Sequence, residues 1–472
     1  MRRPPFSLCA TLFFIFLLFP PAYSKSLSPH LGDASNNKIP TAEAKLLGQQ
    51  VLAKISKQTP LIDDPILNDY INNLGHTLLS YSEFPTTNIR FVILKSDQIN
   101  AFALPGNIIG FNSELILRAQ SEGELAGVLA HEISHITQNH FYRMLEYQQH
   151  AYLGNILTLL AAALAASAQP QGAQAILTAG IGAQQQKMIG HVREHEYEAD
   201  RIGTKVLTQA GYPAKAMADF FTRLPQGTYH NAVFESIMTH PLPSKRYGEA
   251  LNRQTQTKRF TAEQKLNFKF IQVRLKALTS RNPPKLLAET THLPKTDFQQ
   301  PQNKYLMALL YQKTNAKNLA LAAIEKLYQN HPESLVIAAT YLEFLLHDKK
   351  LLDLQKNLKT IEPIFSYAYP ILLIQAKLKL TLKQPKKSEV ILKDIIEFYP
   401  NQPQAYELLS RIQKKQNDIG LAHYYMGEFY LLKGRLHEAL VQFQLSIKDT
   451  PTDNYLYKKS VQKRDLLKEH VF

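Results

Sequence analysis

The sequence predicts a mostly α protein: a helical domain with a small β-sheet, followed by a C-terminal α-solenoid. Three observations carry this reading. Beyond residue 40, apolar residues recur mainly at helical spacing. Two short stretches break that pattern: 89–94 is β-branched and aromatic, and 100–111 reads as strand, Pro-Gly turn, strand. Past residue 303, small, aromatic and proline positions return with a period of about 34 residues.

The chain opens with Arg2 and Arg3, an apolar run over 6–19, two prolines and the small-residue pattern Ala22-Tyr23-Ser24. This predicts a secretory leader, 1–24, cut after Ser24. The run of about fourteen residues falls short of the roughly twenty that span a bilayer, which argues against the alternative, a membrane anchor. Cys9, the one cysteine, lies inside the leader, so the exported chain has no disulfide and depends on its core or a metal. The formal charge is +15, of which Arg2 and Arg3 contribute two, leaving +13 after cleavage. Much of the excess is lysine in the C-terminal half, as at Lys386, Lys387, Lys414 and Lys415. For an exported chain the matching partners are envelope lipids or acidic proteins rather than nucleic acid; a solvated helix surface is the alternative.

Residues 25–255 read as the first domain. A helix opens at Thr41 and ends before Pro60, and a second begins at Asp64-Pro65 with Ile66, Tyr70, Ile71, Leu74 and Leu78 on one face. The hairpin at 100–111 presents an edge where a peptide backbone could add as a further strand; an ordinary hairpin over the core competes with that reading. Ser121 and the acids after it start a helix that runs into His131-Glu132-Ile133-Ser134-His135. Positions four apart share a helix face, so His131 and His135 can reach one zinc ion. Glu132 can lean over the open coordination position as a general base, which is the chemistry of hydrolysis. The third ligand must come from elsewhere. The helical cluster at 191–200 offers His191, Glu194, His195 and Glu196, and chemistry alone leaves the choice open.

The paired motifs HEISH and EYEAD resemble the zinc metallopeptidase family that includes the HtpX heat-shock proteases and the CAAX prenyl proteases. Within it, the secreted, repeat-bearing layout is similar to the BepA-type periplasmic proteins. The resemblance implies a helical zinc metallopeptidase domain with one zinc per chain. It implies His131, His135 and Glu196 as ligands, Glu132 as base, and Asp200 as a second acid steadying the site. It extends over 100–106, where Asn107 stands in place of a common second glycine and leaves the turn geometry open. It also reaches Thr239 to Arg246, placing His240 or Arg246 at the metal. His240 would serve either as an oxyanion donor or as a removable fourth ligand that keeps the enzyme latent; a helix-start His-Pro without such a role is the bland alternative. The apolar stretch 153–181 is short and broken by Pro and Gly, so it reads as helices over the active site or resting on a membrane surface, or as a buried hairpin.

A linker with helical pieces is expected over 256–302, and a tetratricopeptide-repeat domain over 303–472. Gly427, Tyr430, Gly434, Ala439, Phe443 and Pro451 match the repeat frame. Pro332 and Pro400 are two periods apart, whereas Pro451 follows after one and a half, which predicts a single extra helix between them. Such arrays bind clients or partners; the alternative is a lid docked on the peptidase. The expectation is a periplasmic zinc endopeptidase acting on misfolded or misassembled envelope proteins, working with the outer-membrane assembly machinery. The alternative is a chaperone or assembly scaffold whose zinc site is mostly latent.

Overall fold

Helix α1 (Thr41–Gln58) buries Leu46, Val51, Leu52 and Ile55 along one side, and Thr59-Pro60 ends it ahead of β1 (Leu61–Ile62). The structure, a computed structural model, describes residues 41–85, 88–147, 183–222 and 261–471. The leader, the stretch 153–181, His240 and Arg246 lie outside the described residues. Helix α2 (Pro65–Ser80) starts where the sequence places it: the Asp64 carboxylate accepts the Leu67 N–H at 3.0 Å and Pro65 fills the first turn.

The sheet comprises β1, β2 (Arg90–Leu94), β3 (Ala101–Leu104) and β4 (Ile108–Asn112), in the order β1-β2-β4-β3. Strands β2 and β4 run parallel, with Arg90 opposite Ile108, while β3 and β4 form the expected antiparallel hairpin. In its turn Gly106 and Asn107 both take left-handed φ, 70° and 61°. Asparagine tolerates that region, which resolves the missing second glycine. A side chain at 106 would also strike the Lys45 backbone. Strand β3 is an edge, pairing with β4 alone among the described residues.

Helices α3 (Ser113–Arg118), α4 (Glu122–Thr137), α5 (His140–Tyr147), α6 (Ala183–Gln209) and α7 (Ala214–Thr222) complete this part. Nearly all of α4 is buried. Its first residue, Glu122, accepts hydrogen bonds from Tyr70 at 2.5 Å and Tyr212 at 2.7 Å, pinning the helix start to α2 and to the turn before α7.

Helix α8 (Ala262–Thr279) opens with a reciprocal Thr261–Gln264 cap and is one of the helical pieces expected over 256–302. Its Phe268, Phe270, Ile271 and Leu275 are buried in a core that continues from α2 and α4 into the helices beyond. Arg274 grips Asp64 with two nitrogens at 2.8 and 2.7 Å and also reaches Glu343 and Thr340. Burial opposes its charge, but Asp64 and Glu343 hold the guanidinium ionised.

After α9 (Pro283–Thr291) and α10 (Lys295–Phe298) come antiparallel helices: α11 (Pro301–Lys313), α12 (Lys317–Asn330), α13 (Leu335–His347), α14 (Leu351–Ile361), α15 (Tyr369–Thr381), α16 (Pro385–Phe398), α17 (Pro403–Lys415), α18 (Ile419–Leu432), α19 (Leu436–Lys448) and α20 (Tyr455–Val471). Three helices, α17 to α19, lie between Pro400 and Pro451, as one and a half periods require. Phe443 fills the space over Gly427, where an added Cβ would sit 2.6 Å from its ring.

The array packs against α1, α2 and β2. Leu46 of α1 packs with Phe443 and Leu467, and buried Arg90 donates to the Leu432 carbonyl at the end of α18. Lys433 pairs with Asp63 at 3.2 Å, and Asp69 of α2 accepts the Tyr369 N–H, the first of α15, at 3.1 Å. Burial raises the Asp69 carboxyl to about 6, against the Tyr369 and Asn73 hydrogen bonds that favour its charge.

A folded-state value above the unfolded one means that the destabilising charge is absent below about pH 4 and fully present above about pH 6, at a cost of about 3 kcal/mol. Asp69→Asn keeps an acceptor for Tyr369 and cannot ionise. Urea unfolding of both proteins between about pH 4 and about pH 7.5 is expected to show the variant gaining on wild type as pH rises; a pH-independent difference refutes the assignment.

Candidate metal centre

Helices α4 and α6 approach at Gly203, where an added Cβ would meet the His131 nitrogen at 3.0 Å and the Ala130 carbonyl at 3.1 Å. That contact lets the second motif face the first. Glu196 and Asp200, one turn apart on α6, come opposite His131 and His135, one turn apart on α4.

His131 Nε2 lies 3.0 Å from His135 Nε2, and the two Glu196 oxygens lie 3.4 Å from one imidazole each. A tetrahedral ion with bonds of 2.0–2.1 Å spaces its ligand atoms by about 3.3 Å, so the three donors fit three positions of one small divalent ion. Two neutral imidazoles and a carboxylate are a donor set that zinc takes in hydrolytic sites. His131 is wholly buried, and its other nitrogen, Nδ1, donates to Asp200 at 2.9 Å. The bond fixes the ring orientation and leaves Nε2 facing His135 and Glu196, where a metal would be held. Glu132 is buried next to His131.

A further chain of contacts holds His135. Its Nδ1 is 2.8 Å from His140 Nδ1, whose other nitrogen donates to Glu198 at 3.0 Å, and Glu198 also receives Arg143 at 2.7 Å. The His140 bond is the main force holding the Glu198 carboxyl down at about 2, helped by Arg143 and opposed by burial. Burial keeps His140 below the usual imidazole range, so it is neutral and accepts from His135. His195, a rival for the third ligand on chemistry alone, instead stacks flat on His140 with ring centroids 4.4 Å apart. Among the described residues His131, His135 and Glu196 form the group able to hold a metal. His140, Glu198 and Arg143 were not assigned roles from the sequence. Asn139, at φ 55°, turns the chain between α4 and α5, and no periodicity carries His140 across that break.

Residues 65–254 match the model of peptidase family M48. This segment is similar to that peptidase family. The chain is also 28% identical over 426 residues to the Beta-barrel assembly-enhancing protease of Escherichia coli K12, covering 89% of this chain and 87% of that protein. The Yersinia pestis protein of the same name is 29% identical over 428 residues, covering 88% and 86%. The Mitochondrial metalloendopeptidase OMA1 of Arabidopsis thaliana is 22% identical over 236 residues, 47% of this chain and 43% of that protein. The match to M48 and the His/His/Glu cluster support a metallopeptidase. No helix of the described residues is long and apolar enough to cross a membrane.

Removing the Asp200 carboxylate leaves the His131 ring without its orienting partner. In Asp200→Ala, zinc affinity measured by competition with a chelating dye is expected to fall roughly 10- to 100-fold. Gly203→Val inserts atoms between α4 and α6 and is expected to lower affinity as well. Unchanged affinity in Gly203→Val would mean that the helix contact does not set the ligand spacing.

Proposed function

We propose that the chain is an exported zinc endopeptidase that cleaves misfolded or misassembled outer-membrane β-barrel proteins in the periplasm. The observation that carries the chemistry is the near-tetrahedral spacing of His131, His135 and Glu196, with Asp200 on the far side of the first imidazole. A zinc ion held there supplies a water of lowered pKa and polarises the scissile carbonyl.

The rest falls to the chain's own groups. Glu132 takes a proton from the attacking water and returns it to the leaving amine. Asp200 and His140 keep the two imidazoles in the ligating tautomer. The edge of β3, unpaired among the described residues and on a hairpin next to α4, offers backbone groups to an extended peptide and would align its carbonyl with the site. His240 is proposed as a removable fourth ligand that keeps the enzyme latent, and Arg246 as a neighbouring cation.

The assembly role and the client class rest on the names of the relatives above and on their match to most of this chain. The tetratricopeptide-like array is proposed to recruit clients or the assembly machinery. The second reading, a scaffold or chaperone with a mostly silent metal site, draws on the same names, which speak of enhancing assembly.

Glu132→Gln is expected to retain zinc and fold while losing hydrolysis of an unfolded β-barrel substrate by a factor of at least about a thousand. His240→Ala is expected to raise the rate. Cleavage that persists in Glu132→Gln refutes the mechanism. Assembly function that survives in Glu132→Gln supports the scaffold reading.

A further inference from the structure

Left-handed residues recur in the turns after α11, α13, α15 and α17: Asn315, Lys349, Lys383 and Asn417, each 34 positions from the last. Alternate helices run antiparallel, so these four turns share one edge of the array. Contacts between them agree: Gln312 meets His347 at 2.8 Å, and Lys317 lies 4.0 Å from Asp348.

That edge is strongly cationic. The segments 313–317, 348–353, 383–387 and 414–418 carry nine lysines, all exposed, against three aspartates. Apart from Lys317 with Asp348, these lysines make no ion pair among the described residues. At one end, burial and then the neighbouring positive charges of Lys95 and Arg274 hold the Lys313 amine below its usual range. Two leucines stand out among the lysines: Leu352 is 84% exposed and Leu319 56%. Both lie in the first turn of the helix that follows a lysine-bearing turn.

We propose that this turn edge docks on an anionic phospholipid surface. Lysines are point charges on long flexible stems, suited to a diffuse plane of phosphates rather than to forked recognition of carboxylates. Leucine tips amid cations match the shallow apolar layer beneath lipid headgroups. The proposal does not depend on the metal site or on the peptidase reading.

The test is flotation of the full-length chain, without its leader, with vesicles of phosphatidylglycerol and phosphatidylcholine in equal parts, against vesicles of phosphatidylcholine alone. Binding to the anionic vesicles only, weakened by salt, is expected. Reversing Lys349, Lys350, Lys383 and Lys386 to Glu is expected to weaken it by about a hundredfold or more. Leu352→Ser is expected to weaken it severalfold with charge unchanged. As a control, reversing Lys326, Lys359, Lys458 and Lys468 changes net charge equally and is expected to leave most binding intact. Circular dichroism and thermal melting establish that each variant is folded. The proposal is overturned if wild type fails to float with anionic vesicles at low salt, or if both sets of reversals act alike. Binding to poly-glutamate without binding to vesicles overturns it too, and assigns the edge to an acidic protein.

Discussion

The close crossing of two helices at Gly203 is the constraint on which the metal centre depends. Without a side chain there, α6 rests against the Ala130–His131 backbone, and the carboxylates of Glu196 and Asp200 come within reach of both nitrogens of one imidazole. A buried imidazole with a partner on each side is tolerated because both ring nitrogens are satisfied. The same economy explains why α4 can be buried almost throughout while carrying two histidines and Glu132 in its last turns.

Around that crossing, charged groups do the joining. Arg274 ties the cap of α2 to α13, Arg90 closes the end of α18, and Asp69 serves the start of α15. Each satisfies helix-end or carboxylate groups that would otherwise be stranded in a dry interface. The docked array therefore combines an apolar core, continuous through α8, with polar fastenings at its seams.

How much of this was legible in the sequence varies with range. The helices before Pro60 and after Asp64 and the hairpin at 100–111 follow from local signals, because caps, prolines and alternation act over a few residues. The three helices between Pro400 and Pro451 were readable from proline spacing alone. The juxtaposition of the HEISH pair was legible because both histidines sit on one helix. That Glu196 rather than His195 lies beside the two histidines was not, since it depends on how α6 is rotated against α4, and only the family resemblance pointed to it. His140 lies beyond a left-handed turn, and its partners Glu198 and Arg143 sit on different helices, so no spacing rule joins them. The docking of the array was one of two open alternatives, because contacts such as Arg90 with Leu432 carry no local signature.

Those distant contacts bear on the order in which the protein can form. Leu46 waits for Phe443 and Leu467, and Arg90 waits for Leu432, so α1 and β2 are closed by segments synthesised at least 342 residues later. Non-local closure of this kind is slow and leaves apolar surface open in the interval. A nascent or truncated chain would hold its HEISH helix while its outer elements still lacked their packing partners. The coupling acts as a check on length: the peptidase half is finished only when the far end of the array has arrived.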